Sequence, residues 1–190
     1  MNYFELYELP IRFNPDQDLI KKKFYALSKQ YHPDFYIGQA PEKQEEALEC
    51  ATLNNKAYQV LRNERQRLRY LLDLKGLLPE GEHYSLDPAF LMEMMEINEA
   101  LMEQEFDPDP AKLAGISQEI ATLEQDLTLT MQELTHAFDL AADTENNLSG
   151  DASPDPQSQS LLAAIKDKYY RYQYIQRIRE RLSGLASSSY

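Results

Sequence analysis

The chain has 190 residues, 43% of them hydrophobic, with 13 Tyr and 7 Phe but no Trp, only 6 Gly and a single valine, Val60; that composition favours helices over a sandwich or barrel and suits one large or two small domains. The lone cysteine, Cys50, excludes an internal disulfide and a cysteine-based metal site. The net charge of −13 divides unevenly: residues 1–78 carry +1 and residues 79–190 carry −14, so two electrostatically distinct domains are expected, and the acidic half argues against binding nucleic acid.

The first residues, MNYFELYELP, lack the basic flank and apolar run of a signal peptide. No stretch approaches the roughly 18 apolar residues of a membrane span, so a cytoplasmic protein without a membrane partner is expected. Asn14-Pro15 predicts a helix start, with Asn14 as the cap and Pro15 at the first helical position. From there Ile20, Phe24, Leu27 and Tyr31 recur with helical spacing and predict a buried stripe. Lys22 and Lys29 fall on the opposite side, with Lys21 and Lys23 beside them. Pro33 ends the helix and biases His32 away from helical geometry.

Residues 35–41, with Gly38 and Pro41, predict a loop, and a second helix follows from about Glu42 to Leu61. Its inward positions are Ala47, Cys50 or Ala51, Asn54, Ala57 or Tyr58, and Leu61. The two helices form a hairpin. A further helix spans Asn63 to Leu74, with Leu68, Leu71, Leu72 and Leu74 as its apolar positions. Gly76 and Pro79 close it, and 76–87 is expected to be a linker.

Asp87-Pro88 opens the second half with another cap and proline. The helix 88–105 places Phe90, Met94, Ile97 and Leu101 on one stripe. Leu91, Met92, Met95 and Met102 fall off it and need another partner. Asp107-Pro108-Asp109-Pro110 breaks the helix. A long helix then carries Leu113, Ile116, Ile120, Leu123, Leu127, Met131, Leu134 and Phe138. Residues 143–160 are polar and predict a mobile acidic loop. The last helix, about 161–185, carries Leu162, Ile165, Tyr169, Tyr172, Ile175, Ile178 and Leu182, and six of the seven basic residues of this half. Residues 88–190 are therefore expected to close as a three-helix bundle.

No Gly-rich phosphate loop, paired metal-ligand histidines or nucleophile–base arrangement is visible. His83 and His136 read as linker and helix-surface residues. His32-Pro33-Asp34 differs because it falls in the loop of a hairpin, after a lysine-bearing helix. With YHPD at 31–34, LNNKAYQVL at 53–61 and YFELYELP at 3–10, residues 1–75 resemble the J-domain of DnaJ-type co-chaperones. That resemblance implies contact with a DnaK-class chaperone through His32, Pro33, Asp34, Lys21, Lys22 and Lys29. Pro33 stiffens the loop, Asp34 offers a carboxylate, and the lysines add long-range attraction.

The second half has neither a Gly/Phe-rich stretch nor zinc-binding cysteines. RLRYLLDLKG at 67–76 runs on to DPAFLMEMMEINEAL at 87–101, which resembles the HscB-type iron–sulfur cluster co-chaperones. The resemblance implies an HscA-like chaperone as one partner and an IscU-like iron–sulfur scaffold protein as the other. Leu91, Met92 and Met95, rimmed by Glu96, Glu99 and Glu103, suit an adaptable protein-binding surface, and Tyr172 is a candidate neighbour of that patch. Burial of the same residues by the other two helices of the bundle or by the J-domain is the competing reading. Eukaryotic relatives can carry a cysteine-rich metal site ahead of the J-domain; this chain opens on the J-domain pattern, so no metal and no cofactor are expected.

The expectation is an all-α monomeric adaptor of two domains: an N-terminal J-domain, built as a helical hairpin with flanking helices, and a C-terminal three-helix bundle. It would regulate a partner's ATPase without being an enzyme. A general J-domain co-chaperone for varied clients is the alternative within the same class; a structural module with a degenerate J-domain is the alternative outside it.

Overall fold

The computed structural model describes residues 1–148 and 156–188. All regular structure among them is helical, and the chain divides into two compact units, Met1–Pro79 and Glu80–Tyr190. The helices are α1 (Tyr3–Leu6), α2 (Gln17–Gln30), α3 (Pro41–Arg62), α4 (Glu64–Leu74), α5 (Pro88–Phe106), α6 (Pro110–Leu148) and α7 (Pro156–Ser188), with a 3-10 turn at Pro33–Tyr36 between α2 and α3. None of the described helices is long and apolar enough to cross a membrane.

In the first unit, α2 starts later than the Asn14-Pro15 pattern predicts. Asp16 is the cap, its carboxylate accepting from the N–H groups of Asp18 at 2.8 Å and Leu19 at 3.1 Å. An anionic acceptor at a helix N-terminus satisfies two orphan donors and opposes the helix dipole. Helix α3 opens on Pro41, whose missing N–H costs nothing at that position. Asn63 closes α3 and caps α4, accepting from the Gln66 N–H at 3.0 Å.

The core of this unit joins Phe4, Tyr7, Phe13, Ile20, Ala47, Ala57, Leu61, Leu71 and Leu72. Of the stripe read on α2, Ile20 is fully buried, whereas Phe24, Leu27 and Tyr31 are half-buried. A two-helix hairpin covers each helix on one side only, so its outer positions stay partly wet. Phe24 compensates by stacking on Tyr58 of α3, ring centroids 4.0 Å apart.

Two polar side chains tie this core together. The Asn54 amide donates to the Phe24 carbonyl at 3.1 Å and the Ser28 hydroxyl at 3.0 Å, while its oxygen accepts from the Tyr7 hydroxyl at 2.8 Å. Burial drives the Tyr7 hydroxyl pKa well above its ordinary value, with Tyr58 adding to the shift. Arg67 of α4 is buried and donates to the Phe13 carbonyl at 2.7 Å and the Leu61 carbonyl at 2.6 Å. It takes an inward place on α4 where apolar spacing alone predicts leucines, and Leu74 is left exposed.

In the second unit, Asp87 caps α5 as predicted, accepting from the N–H groups of Ala89 at 3.0 Å and Phe90 at 3.2 Å. Phe90, Met94, Ile97 and Leu101 pack against Ile116, Ile120 and Leu127 of α6 and Ile175, Ile178 and Leu182 of α7. Buried Gln104 accepts from the Asp109 N–H at 2.8 Å across the Asp-Pro break. The basic residues of α7 pair with acidic neighbours: Arg179 with Glu124 of α6 at 2.9 Å and Arg181 with Glu105 of α5 at 2.7 Å.

Two segments depart from expectation. Residues 143–148 and 156–160, assigned to the acidic loop, belong to α6 and α7. The polar letters there do not forbid helix: Pro156 occupies a helix start, and Ser158 is buried. The remainder of that loop, 149–155, lies outside the described residues. The second departure is in the linker 76–87, whose later part is fastened to α7. Glu82 pairs with Lys166 at 2.7 Å and accepts from the Tyr170 hydroxyl at 3.0 Å. Tyr84 stacks on Tyr170 with centroids 4.5 Å apart. The Lys166 partner holds the Glu82 carboxyl below the usual carboxylate range, and burial beside Glu82 pushes the Tyr170 hydroxyl up to about 12.

Arg67→Leu is expected to destabilise the first unit by about 2–4 kcal/mol, because it leaves the Phe13 and Leu61 carbonyls without those donors in a buried site. Urea unfolding followed by circular dichroism measures this; a change under about 0.5 kcal/mol would refute the role assigned to Arg67.

Candidate functional site

The hairpin of α2 and α3 holds its connecting loop at one end. The Tyr31 N–H still donates to Leu27 at 2.9 Å, and α2 stops there because Pro33 disfavours helical geometry at His32. His32 takes an extended backbone, φ −65° and ψ 128°, and caps the 3-10 turn. Its Nδ1 accepts from the Asp34 N–H at 3.3 Å, and its carbonyl accepts from the Phe35 N–H at 3.0 Å. Nδ1 can serve the Asp34 N–H only while it carries no proton, which places the ring proton of neutral His32 on Nε2. Asp34 Oδ2 lies 3.6 Å from the same Nδ1, and its side chain is 76% exposed. The carboxylate therefore stands in solvent on a turn whose conformation His32 and Pro33 restrict.

The far side of the loop is anchored to both helices. The Tyr36 hydroxyl donates to the Gln30 carbonyl at 3.3 Å and the Gln44 amide of α3 donates to the Gln39 carbonyl at 2.8 Å, while within the loop the Gln39 amide donates to the Phe35 carbonyl at 3.0 Å. A hollow of about 690 Å³ opens beside it, lined in part by Lys29, Phe35, Tyr36, Gln39 and Lys43. Lys21, Lys22 and Lys29 are exposed on α2, whereas Lys23 is half-buried and paired with Glu8. Lys22 and Lys29, seven residues apart, share a face with the exposed Tyr25 between them.

Sequence reasoning passed over Tyr25, Phe35 and Ile37, all exposed. The signal for Tyr25 was present: it sits three residues beyond Lys22 on the lysine face. Phe35 and Ile37 carried no periodic signal because they lie in a turn.

A second surface lies on α5. Leu91, Met92 and Met95 are 38%, 65% and 61% exposed, so the reading that buries them among the bundle helices does not hold. Glu96, Glu99 and Glu103 are exposed beside them. Met94, between two of the methionines, is fully buried. Tyr172 is half-buried and packs against the bundle core, not out on the methionine face. No cluster of His, Cys, Asp or Glu able to hold a metal ion occurs among the described residues.

A lysine-bearing helix, a His-Pro-Asp turn and a returning helix define a J-domain protein. Residues 2–70 match the family model described as the DnaJ domain, and residues 86–183 match that of the HSCB C-terminal oligomerisation domain. The chain is 37% identical over 134 residues to a co-chaperone protein HscB homolog of Vibrio cholerae serotype O1 (strain M66-2), covering 70% of this chain and 78% of that one. With the co-chaperone protein HscB of Proteus mirabilis (strain HI4320) it shares 32% identity over 154 residues, 78% of this chain and 88% of the relative. Among solved structures, the chaperone HscB from Vibrio cholerae aligns with TM-score 0.63 and 26% identity over 99% of both chains. The human co-chaperone protein HscB aligns with TM-score 0.67 and 25% identity, over 96% of this chain and 81% of the other. The chain belongs to the HscB co-chaperone family.

Two outcomes follow from this geometry. At alkaline pH, long-range ¹H–¹⁵N correlation spectra should show His32 as the Nε2–H tautomer; an Nδ1–H tautomer would rule out the contact with the Asp34 N–H. Leu91→Ala combined with Met95→Ala should alter unfolding free energy by no more than about 1 kcal/mol, since both side chains are exposed. A loss of several kcal/mol on chemical denaturation would show that they are core.

Proposed function

We propose that this protein stimulates ATP hydrolysis by a DnaK-class, HscA-like chaperone and delivers to it an IscU-like iron–sulfur scaffold protein. The observation that carries the first part is the exposed Asp34 carboxylate on a turn restricted by His32 and Pro33. A carboxylate presented in one orientation is suited to a charge-assisted hydrogen bond with a cationic group on the partner. Lys21, Lys22 and Lys29 supply attraction that steers encounter and sets orientation. The co-chaperone does no chemistry in this reading. It binds the ATP-hydrolysing conformation of the chaperone more tightly than the resting one, and the population shifts accordingly.

The second part rests on α5. Exposed thioethers beside carboxylates make an adaptable apolar surface with a charged rim. The scaffold docks there through Leu91, Met92 and Met95, with Glu96, Glu99 and Glu103 meeting its cationic groups. Any cluster stays on the scaffold, because one cysteine cannot ligate it here. Tyr172 supports the surface from the core side.

Steady-state ATP turnover by the chaperone, measured with and without this protein and the scaffold, tests the proposal. Asp34→Asn should abolish stimulation while scaffold affinity stays within about twofold, since the substituted loop is not part of the scaffold surface. Equal turnover with wild type and Asp34→Asn would sink the J-domain mechanism. Binding of many unfolded chains, with no preference for the folded scaffold, would favour a general co-chaperone instead.

A further inference from the structure

The exposed apolar residues of α5 do not end with the turn that carries Met95. Met102 is 49% exposed and Phe106 is 86% exposed. Met92, Met95, Glu99, Met102 and Phe106 follow one another in steps of three, four, three and four residues. At 3.6 residues per turn this confines them to an arc of about 80°, and at 1.5 Å rise per residue it makes a stripe about 21 Å long. The core residues Phe90, Met94, Ile97, Leu101 and Gln104 occupy the opposite side of the same helix. Helix α5 thus has two seams, one filled by α6 and α7 and one open.

The two flanks of the open stripe differ. Toward α7, Asn98 and Glu105 are both held by Arg181, at 3.4 Å and 2.7 Å. The other flank carries Glu96 and Glu103, exposed. Glu99 interrupts the stripe near its middle. A large exposed phenylalanine at the end of such a stripe is a costly placement unless something covers it. Two copies of this chain meeting along the stripe would bring like charges together on halves that each carry −14. A partner with cationic groups along one edge of an apolar ridge meets no such repulsion.

We infer that the scaffold-docking surface of α5 runs through Met102 to Phe106, and that it takes an apolar ridge of the scaffold protein edged on one side by Lys or Arg. This rests on the proposed scaffold role of α5 and extends it about three helical turns beyond Met95. The one-sided acidic flank also sets the direction in which the ridge lies, because only one orientation puts the cationic edge beside Glu96 and Glu103.

Calorimetric titration of the full-length protein with a purified IscU-type scaffold provides the test. Met102→Ser combined with Phe106→Ser should raise Kd about tenfold with the melting temperature within about 2 °C of wild type. Glu103→Lys should raise Kd as well, and more at low than at high salt. If Leu91→Ala with Met95→Ala weakens binding but the Met102/Phe106 variant stays within twofold of wild type, the stripe ends at Met95 and the extension is wrong. If wild type itself binds no scaffold, the scaffold reading falls and this inference with it. Sedimentation gives the remaining arm: a wild-type dimer that Phe106→Ser turns into a monomer would make the occupant a second copy of this chain and overturn the inference.

Discussion

The side-chain amide of Asn54 is the interaction on which the first unit depends. It sits almost completely buried on α3 and reaches the Phe24 carbonyl and Ser28 hydroxyl of α2, while its oxygen takes the Tyr7 hydroxyl proton. Apolar packing between two helices tolerates sliding, because dispersion contacts are non-directional. A buried amide with three directional partners does not, since a shift of register would leave its polar atoms unpaired. Asn54 therefore sets the register of α2 against α3. The His-Pro-Asp turn lies at the end of those two helices, and its orientation is inherited from that register.

The second unit solves a different problem. It carries a large excess of negative charge, yet its helices close around a continuous apolar core. Arginines on α7 lie beside Glu124 and Glu105, one on each neighbouring helix. Such pairs contribute little each at a surface, but their placement relieves the repulsion that α5 and α6 would otherwise exert on each other. Glu96, Glu99 and Glu103, exposed beside the methionines, take part in none of these pairs. Charge is thus compensated where α7 meets α5 and α6, and negative charge is kept beside the exposed methionines.

Much of this was legible in the sequence, and the failures have physical causes. Helical periodicity located the long helices, and the cap-plus-proline pair Asp87-Pro88 marked the start of α5. The same signal misplaced the start of α2, because three successive residues, Asn14, Pro15 and Asp16, all suit a helix start and only geometry shows which side chain reaches the free N–H groups. Apolar spacing could not reveal Arg67, since a charged letter in a leucine-rich helix reads as surface until its carbonyl partners are in place. Composition overestimated the acidic loop because polar residues are compatible with exposed helix as well as with coil. The fastening of Glu82 and Tyr84 to α7 joins residues more than 80 positions apart, beyond the reach of any local pattern. Among the candidate site residues, the exposed set on α5 was readable as an apolar surplus off the core stripe. Tyr172 was not, because its register on α7 decides between core and surface.

The alternation of methionines on α5 has a chemical consequence. Met92, Met95 and Met102 present their thioethers to solvent, while Met94 is sealed in the core. An oxidant such as hydrogen peroxide reaches the first three and not the fourth. Conversion to the sulfoxide adds a polar S–O group to the outer stripe and leaves the packing of α5 against its neighbours untouched. Oxidative damage to this helix therefore alters what it can hold without altering how it folds.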